Sequence, residues 1–142
     1  MDKQTVLIVD DNPAELEILQ EAIGEVCGNL AVIPVSTGEE CLAVLSRDRQ
    51  PQTSIPDLIL LDLNMPGPGG REVLAMIKND PDFCHIPVII FSNSSLEQDV
   101  FDAHRLYANS FVTKPMGYTN LKILVHELFR YWLEIARIPV TH

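Results

Sequence analysis

Three aspartates, one serine and one lysine fall at telling places in the chain. Asp10 and Asp11 follow the run "TVLIV", Asp62 follows "LILL", Ser92 follows "VIIF", and Lys114 follows "SFVT". A charge left beside buried chain costs free energy unless something pairs with it. Two carboxylates about 5 Å apart repel by roughly 3 kcal/mol at an effective dielectric near 20. If the three aspartates meet, they need counter-charge to stay ionised at neutral pH. Lys114 supplies one positive charge, and a hard divalent cation would supply the rest. Oxygen-only ligands with room for water suit Mg²⁺ (or Mn²⁺), whose shell is often completed by a phosphoryl oxygen. The chemistry within reach is phosphoryl transfer, with a carboxylate as nucleophile.

Bringing these side chains together requires that the apolar runs be neighbouring strands. "TVLIV" (Thr5–Val9) is rich in β-branched residues, and Asn12-Pro13 after it reads as an N-cap and a first helical residue. Leu16, Leu19 and Ile23 keep the helical period, and Gly24 with Gly28 are expected to close this first helix. A second strand spans Leu30–Ser36, placed at a sheet edge because Pro34 has no N–H to donate. A second helix is expected from Gly38 to about Arg49, then a polar loop and the third strand, "DLILL". Helices over Arg71–Asn79 and Leu96–Tyr107 flank a fourth strand at Ile86–Phe91, and "SFVT" (Ser110–Thr113) is the fifth. The last helix is expected over Asn120 to about Ile138. Strands that are apolar throughout and separated by helices specify a parallel sheet covered on both faces. Ligands of such a sheet gather beyond the carboxyl ends of its strands, which is where the five polar residues lie.

Bulk properties narrow the partners. At 142 residues the chain fits one domain. A net charge of −10 excludes the basic footprint of a nucleic-acid binder. The apolar runs are too short to cross a bilayer, and no signal-peptide pattern opens the chain, so a cytoplasmic protein is expected. Cys27, Cys41 and Cys84 lack ligand spacing and read as small core residues. No histidine of the four has a partner at ligand spacing.

"VLIVDDN", "LILLDLNMP", "VIIFSNSS" and "SFVTKP", in that order and spacing, resemble the bacterial response-regulator receiver domain along essentially the whole chain. The resemblance implies a flavodoxin-like, doubly wound five-stranded parallel sheet of order 2-1-3-4-5 with five helices. It implies a single receiver domain over residues 1–142, without an output domain, and no turnover substrate. Asp62 would be the phosphoacceptor for a sensor histidine kinase. Asp11, Asp10, Asp62 and the main-chain carbonyl of Asn64 would hold the metal. Ser92 and Lys114 would pair with phosphoryl oxygens, and Phe111 would be the aromatic switch. The Lys114-Pro115 bond would be cis. Two departures stand out: Asn93 replaces the usual small residue after Ser92, and "PGPGG" replaces the commoner loop after the third strand.

The ending "NLKILVHELFRYWLEIARIP" is long for the family's last helix. Leu121, Leu124, Val125, Leu128 and Trp132 form a core-facing stripe, leaving Ile123, Phe129, Tyr131, Leu133 and Ile135 around the rest. Phe129, Tyr131, Trp132, Leu133 and Ile135 are therefore the expected interface. The subgroup most similar in these stretches, the small regulators paired with phytochromes, implies a homodimer through helix four, strand five and helix five, and a light-sensing kinase. Two other classes remain open on the residues alone. A phosphatase acting through an aspartyl phosphate would need a general acid where Asn64 stands. A phosphorylation-independent interaction module would not need the acceptor, the acidic pair or the lysine, all of which are present.

Overall fold

The computed structural model describes residues 3–46, 55–67 and 69–139. Strands and helices alternate: β1 (Thr5–Val9), α1 (Pro13–Val26), β2 (Ala31–Val35), α2 (Gly38–Val44), β3 (Leu58–Leu61), α3 (Gly70–Lys78), β4 (Val88–Ser92), α4 (Glu97–Arg105), β5 (Ser110–Thr113) and α5 (Tyr118–Phe129). A π-helical turn, Arg130–Ile135, continues α5. The strands pair in parallel in the order β2-β1-β3-β4-β5, the flavodoxin-like arrangement that the resemblance implied. β2, with its Pro34, lies at an edge.

The sheet separates two cores, because successive strand residues point to opposite faces. Leu7, Val9, Ile59, Leu61, Val88 and Ile90 pack with Cys41, Leu45, Val73, Leu74, Ile77 and Ala103 from α2, α3 and α4. Val6, Ile8, Leu58, Leu60, Ile89 and Phe91 pack with Leu16, Leu19, Ile23, Val125 and Phe129 from α1 and α5. β1 and β3 are buried along their whole length, which fixes their carboxyl ends as rigid platforms.

Several boundaries differ from expectation for identifiable reasons. α1 runs through Gly24 to Val26, since half-buried Val26 still packs against the α1/α5 core and offsets the glycine's weak propensity. α2 is shorter than expected and stops at Val44, with buried Leu45 as its cap; Arg47–Arg49 lie outside the described residues. Pro68 of the "PGPGG" loop also lies outside them, as does His142. Of the cysteines only Cys41 is buried, whereas Cys84 is on the surface. Every peptide bond among the described residues is trans, including Lys114-Pro115, so the expected cis bond is absent and the lysine reaches inward without it.

The largest correction concerns the end of α5. Phe129 was placed on the outer face, but it is 2% exposed and lies in the α1/α5 core. It stands four residues after buried Val125, so the helical period carries it to the same side. Beyond it the π register, closed by the Ala136 N–H donating to the Tyr131 carbonyl at 2.7 Å, turns Trp132 and Leu133 against that core. Tyr131 and Ile135 stay exposed.

The start of α3 is where packing most directly supports the strand ends. A Cβ on Gly70 would lie 2.6 Å from Leu63 Cα and 2.7 Å from the Leu63 carbonyl oxygen, and would collide with the Asp62 carbonyl. The helix can sit this close only because residue 70 has no side chain. Gly70→Ala is expected to lower stability by about 2 kcal/mol or more, seen as a reduced urea midpoint with unchanged m-value. An unchanged midpoint would show that the two backbones separate at no cost.

Candidate functional site

The strand order sets β1 beside β3, β3 beside β4 and β4 beside β5, so their carboxyl ends form one rim. Backbone bonds continue the ladder past the strands. The Asp62 N–H donates to the Val9 carbonyl at 2.9 Å, the Asp10 N–H to Val35 at 3.2 Å, and the Lys114 N–H to Ser92 at 2.7 Å. Each chemical side chain is thus held by the backbone of a neighbouring strand.

Asp10, Asp11 and Asp62 converge: each can offer a carboxylate oxygen, and these atoms lie within 4.8 Å of one another. Asp10 and Asp62 are buried, while Asp11 faces solvent. The Asn12 N–H donates to Asp10 Oδ1 at 2.9 Å, and Asn12 in turn caps α1 through the N–H groups of Ala14 and Glu15. Asn64 donates its N–H to Asp62 Oδ1 at 3.3 Å, tying the loop after β3 to that carboxylate. Ser92 is buried at the end of β4, where its Oγ accepts from the Ser94 N–H at 3.1 Å. Phe111 is half-buried against the α2–α4 core, in register with Ile90.

Lys114 is the cation of the pocket. Its Nζ donates to Asp10 Oδ2 at 2.7 Å and to Glu15 Oε2 at 2.7 Å, with the side chain 11% exposed. Burial disfavours its charge, but the hydrogen bonds to Asp10 and Glu15 outweigh that and hold it above the ordinary lysine range. Burial pushes Asp62 up to about 6; Lys114 opposes this and the Asp10 charge adds to it. Burial likewise raises Asp10 in spite of its bond to Lys114. Glu15, bonded to Lys114, is lowered. Asp10, Asp11, Asp62 and Glu15 gathered near one lysine make a pocket with surplus negative charge. Three converging hard oxygen donors of that kind fit a divalent cation.

Sequence reasoning missed two features. Glu15 joins the pocket, bonded to Lys114 and, through Oε1, to Asn93 Nδ2 at 3.2 Å. Its signal was faint: Glu15 is the acidic residue in the first turn of α1, which the Asn12 cap starts directly after the end of β1. The second is Arg71, at the mouth of the pocket. It reaches Asn64 Oδ1 at 3.4 Å, forms an ion pair with Asp99, and lies 3.5 Å from Asp102. Asp99 also accepts from the Ser94 hydroxyl. No local pattern joins residues that far apart in the chain.

A family model for the response regulator receiver domain matches residues 6–126. Over 139 residues the chain is 34% identical to the response regulator Rcp1 of Synechocystis sp., covering 97% of this chain and 95% of that one. The crystal structure of the phosphorylated cyanobacterial phytochrome response regulator RcpA matches with a TM-score of 0.89 at 38% identity, over 98% of this chain and 100% of that one. The Mn²⁺-bound form of Rcp1 matches with a TM-score of 0.84 at 33% identity, over 96% and 99% of the two chains.

The raised value of Asp62 is also a statement about stability. With a folded value of about 6 against an ordinary 3.8, the native state binds the proton more tightly than the unfolded chain. The stabilisation is therefore full below the ordinary value and is lost as pH rises through 6. In metal-free buffer, Asp62→Asn is expected to melt higher than wild type at pH 8, by up to about 3 kcal/mol of stability, with the gap narrowing at pH 5. Divalent cation should narrow it at pH 8 as well. A gap independent of pH would rule out Asp62 ionisation as its source.

Proposed function

The chain belongs to the response-regulator receiver domain family, and on that premise we propose that Asp62 accepts a phosphoryl group from the phosphohistidine of a sensor histidine kinase. The observation that carries the reading is the convergence of three carboxylates around the buried, doubly paired Lys114 at the strand ends. One carboxylate oxygen of Asp62 attacks phosphorus, the phosphorus–nitrogen bond breaks, and the imidazole leaves with that electron pair. Asp10, Asp11, Asp62 and the Asn64 carbonyl would hold Mg²⁺, which when bound supplies charge neutralisation for the transferring group. Lys114 pairs with one phosphoryl oxygen, and the Ser92 hydroxyl donates to another.

The product carries about one more negative charge than the carboxylate, with new acceptor oxygens. Drawing Ser92 inward gives Phe111 room to turn, and the surface of α4, β5 and α5 changes with it. We assign the output to that surface in a stand-alone cytoplasmic regulator without turnover of a substrate. RcpA is described as a phytochrome response regulator, which supports a phytochrome-type kinase as the donor here. A homodimer through the same surface is supported by its exposed apolar residues. These include Phe101 on α4, Ile123 on α5, and Tyr131 and Ile135 on the π turn, with the edges of Trp132 and Leu133 beside them.

Intact mass after incubation with acetyl phosphate should show a single phosphoryl adduct that needs Mg²⁺ and is absent from Asp62→Asn. Uptake that persists in the variant would remove Asp62 from the acceptor role, and no uptake from either acetyl phosphate or a cognate kinase would favour the phosphorylation-independent module. Sedimentation of the wild type should give a dimer, converted to monomer by Ile123→Glu with Tyr131→Glu. A wild-type monomer in both the free and phosphorylated forms would exclude the dimer.

A further inference from the structure

Among the carboxylates of the pocket, Glu15 is the one with no part in the phosphoryl chemistry described above, yet it holds Lys114 and the residue next to Ser92. Its Oε2 accepts from Lys114 at 2.7 Å, and its Oε1 accepts from Asn93 Nδ2 at 3.2 Å. Lys114 directly follows β5 and Asn93 directly follows β4, so one side chain on α1 spans the ends of both strands. The two carboxylates that bond the ammonium are Asp10 and Glu15, not Asp62. To pair with a phosphoryl oxygen, Lys114 has to give up at least one of them. Asp10 belongs to the three-carboxylate cluster, so a bound cation shares its charge, and Glu15 remains the undivided competitor.

We propose that Glu15 is a positioning residue for phosphoryl acceptance: it competes with the phosphoryl group for Lys114 and, through Asn93, restrains the segment that carries Ser92. It thereby stabilises the unphosphorylated state. The assignment rests on Asp62 being the acceptor. The exposures fit a reversible latch. The Lys114 side chain is 11% exposed but that of Glu15 is 35%, so water can solvate the carboxylate once the lysine leaves. The ammonium, by contrast, stays paired, exchanging the Glu15 carboxylate for the incoming anion. Removing the charge of Glu15 also removes repulsion toward an incoming anion in a pocket already rich in negative charge.

The test uses beryllofluoride, a non-covalent mimic of the phosphoryl group, titrated by calorimetry into the full chain at saturating Mg²⁺. Glu15→Gln keeps an oxygen for Asn93 but loses the ion pair, and it is expected to bind the mimic about fivefold more tightly. Its Mg²⁺ affinity should be unchanged or weaker, so that cation and anion affinities do not rise together. A merely structural role predicts loss of both, and misfolding cannot produce a gain. Glu15→Ala, which also frees Asn93, should tighten the mimic at least as much. Unchanged or weaker binding in both variants, with normal binding by the wild type, overturns the latch alone. A wild type that binds no mimic overturns the acceptor reading together with the latch.

Discussion

The structure depends on a surplus of negative charge held where apolar strands end. Asp10 and Asp62 are nearly as buried as the core residues before them, and only one lysine enters the pocket with them. Burial raises both carboxyls even with that lysine present. A pocket in this condition is poorly satisfied alone and well satisfied by a cation, whose charge offsets what burial opposes. The rigidity of the β1 and β3 platforms prevents the carboxylates from simply moving apart. The fit of the pocket to a cation is therefore a consequence of how the sheet is packed.

The fold was largely legible because parallel strands buried on both faces are written as unbroken apolar runs. "TVLIV", "LILL" and "VIIF" could be placed within a residue or two, and Pro34 marked its edge. What escaped was decided by tertiary contact. Gly24 should end a helix by propensity, but Val26 and Cys27 beyond it still pack against the core. Phe129 was misplaced because the α5 stripe was drawn too narrow, and the π turn that follows has no signature in local sequence. Leu133 is held partly by a contact across the molecule, where its carbonyl accepts from Gln4 Nε2 at 3.1 Å.

For the candidate site, legibility followed distance along the chain from a strand end. Asp10, Asp11, Asp62, Ser92 and Lys114 sit at those ends, and knowing the strands places them. Glu15 enters from a helix and was visible only as an acidic residue in the first turn after β1. Arg71 and Asp99 belong to α3 and α4, whose facing depends on how closely each helix approaches the sheet. For α3 that approach is set by Gly70 against the backbone of Asp62 and Leu63. The same glycine that lets the helix in thus brings Arg71 to the mouth of the pocket.

These secondary contacts tie the pocket to the elements around it. Asn64, Arg71, Asp99 and Ser94 form a continuous polar chain from the loop after β3, across α3, to α4 and the segment after Ser92. The Ser94 N–H is bonded to the Ser92 hydroxyl, so Ser92 cannot turn without disturbing that segment. On the other side, Thr113 Oγ1 donates to the Ser94 carbonyl at 3.3 Å, joining the segment to β5, which also carries Phe111 and leads into Lys114. A displacement at Ser92 is consequently shared between α4, through Asp99, and β5, through Thr113. The helix and the strand most exposed to such a displacement are neighbours on one face. The bonds of Ser94 are what join the two to the end of β4.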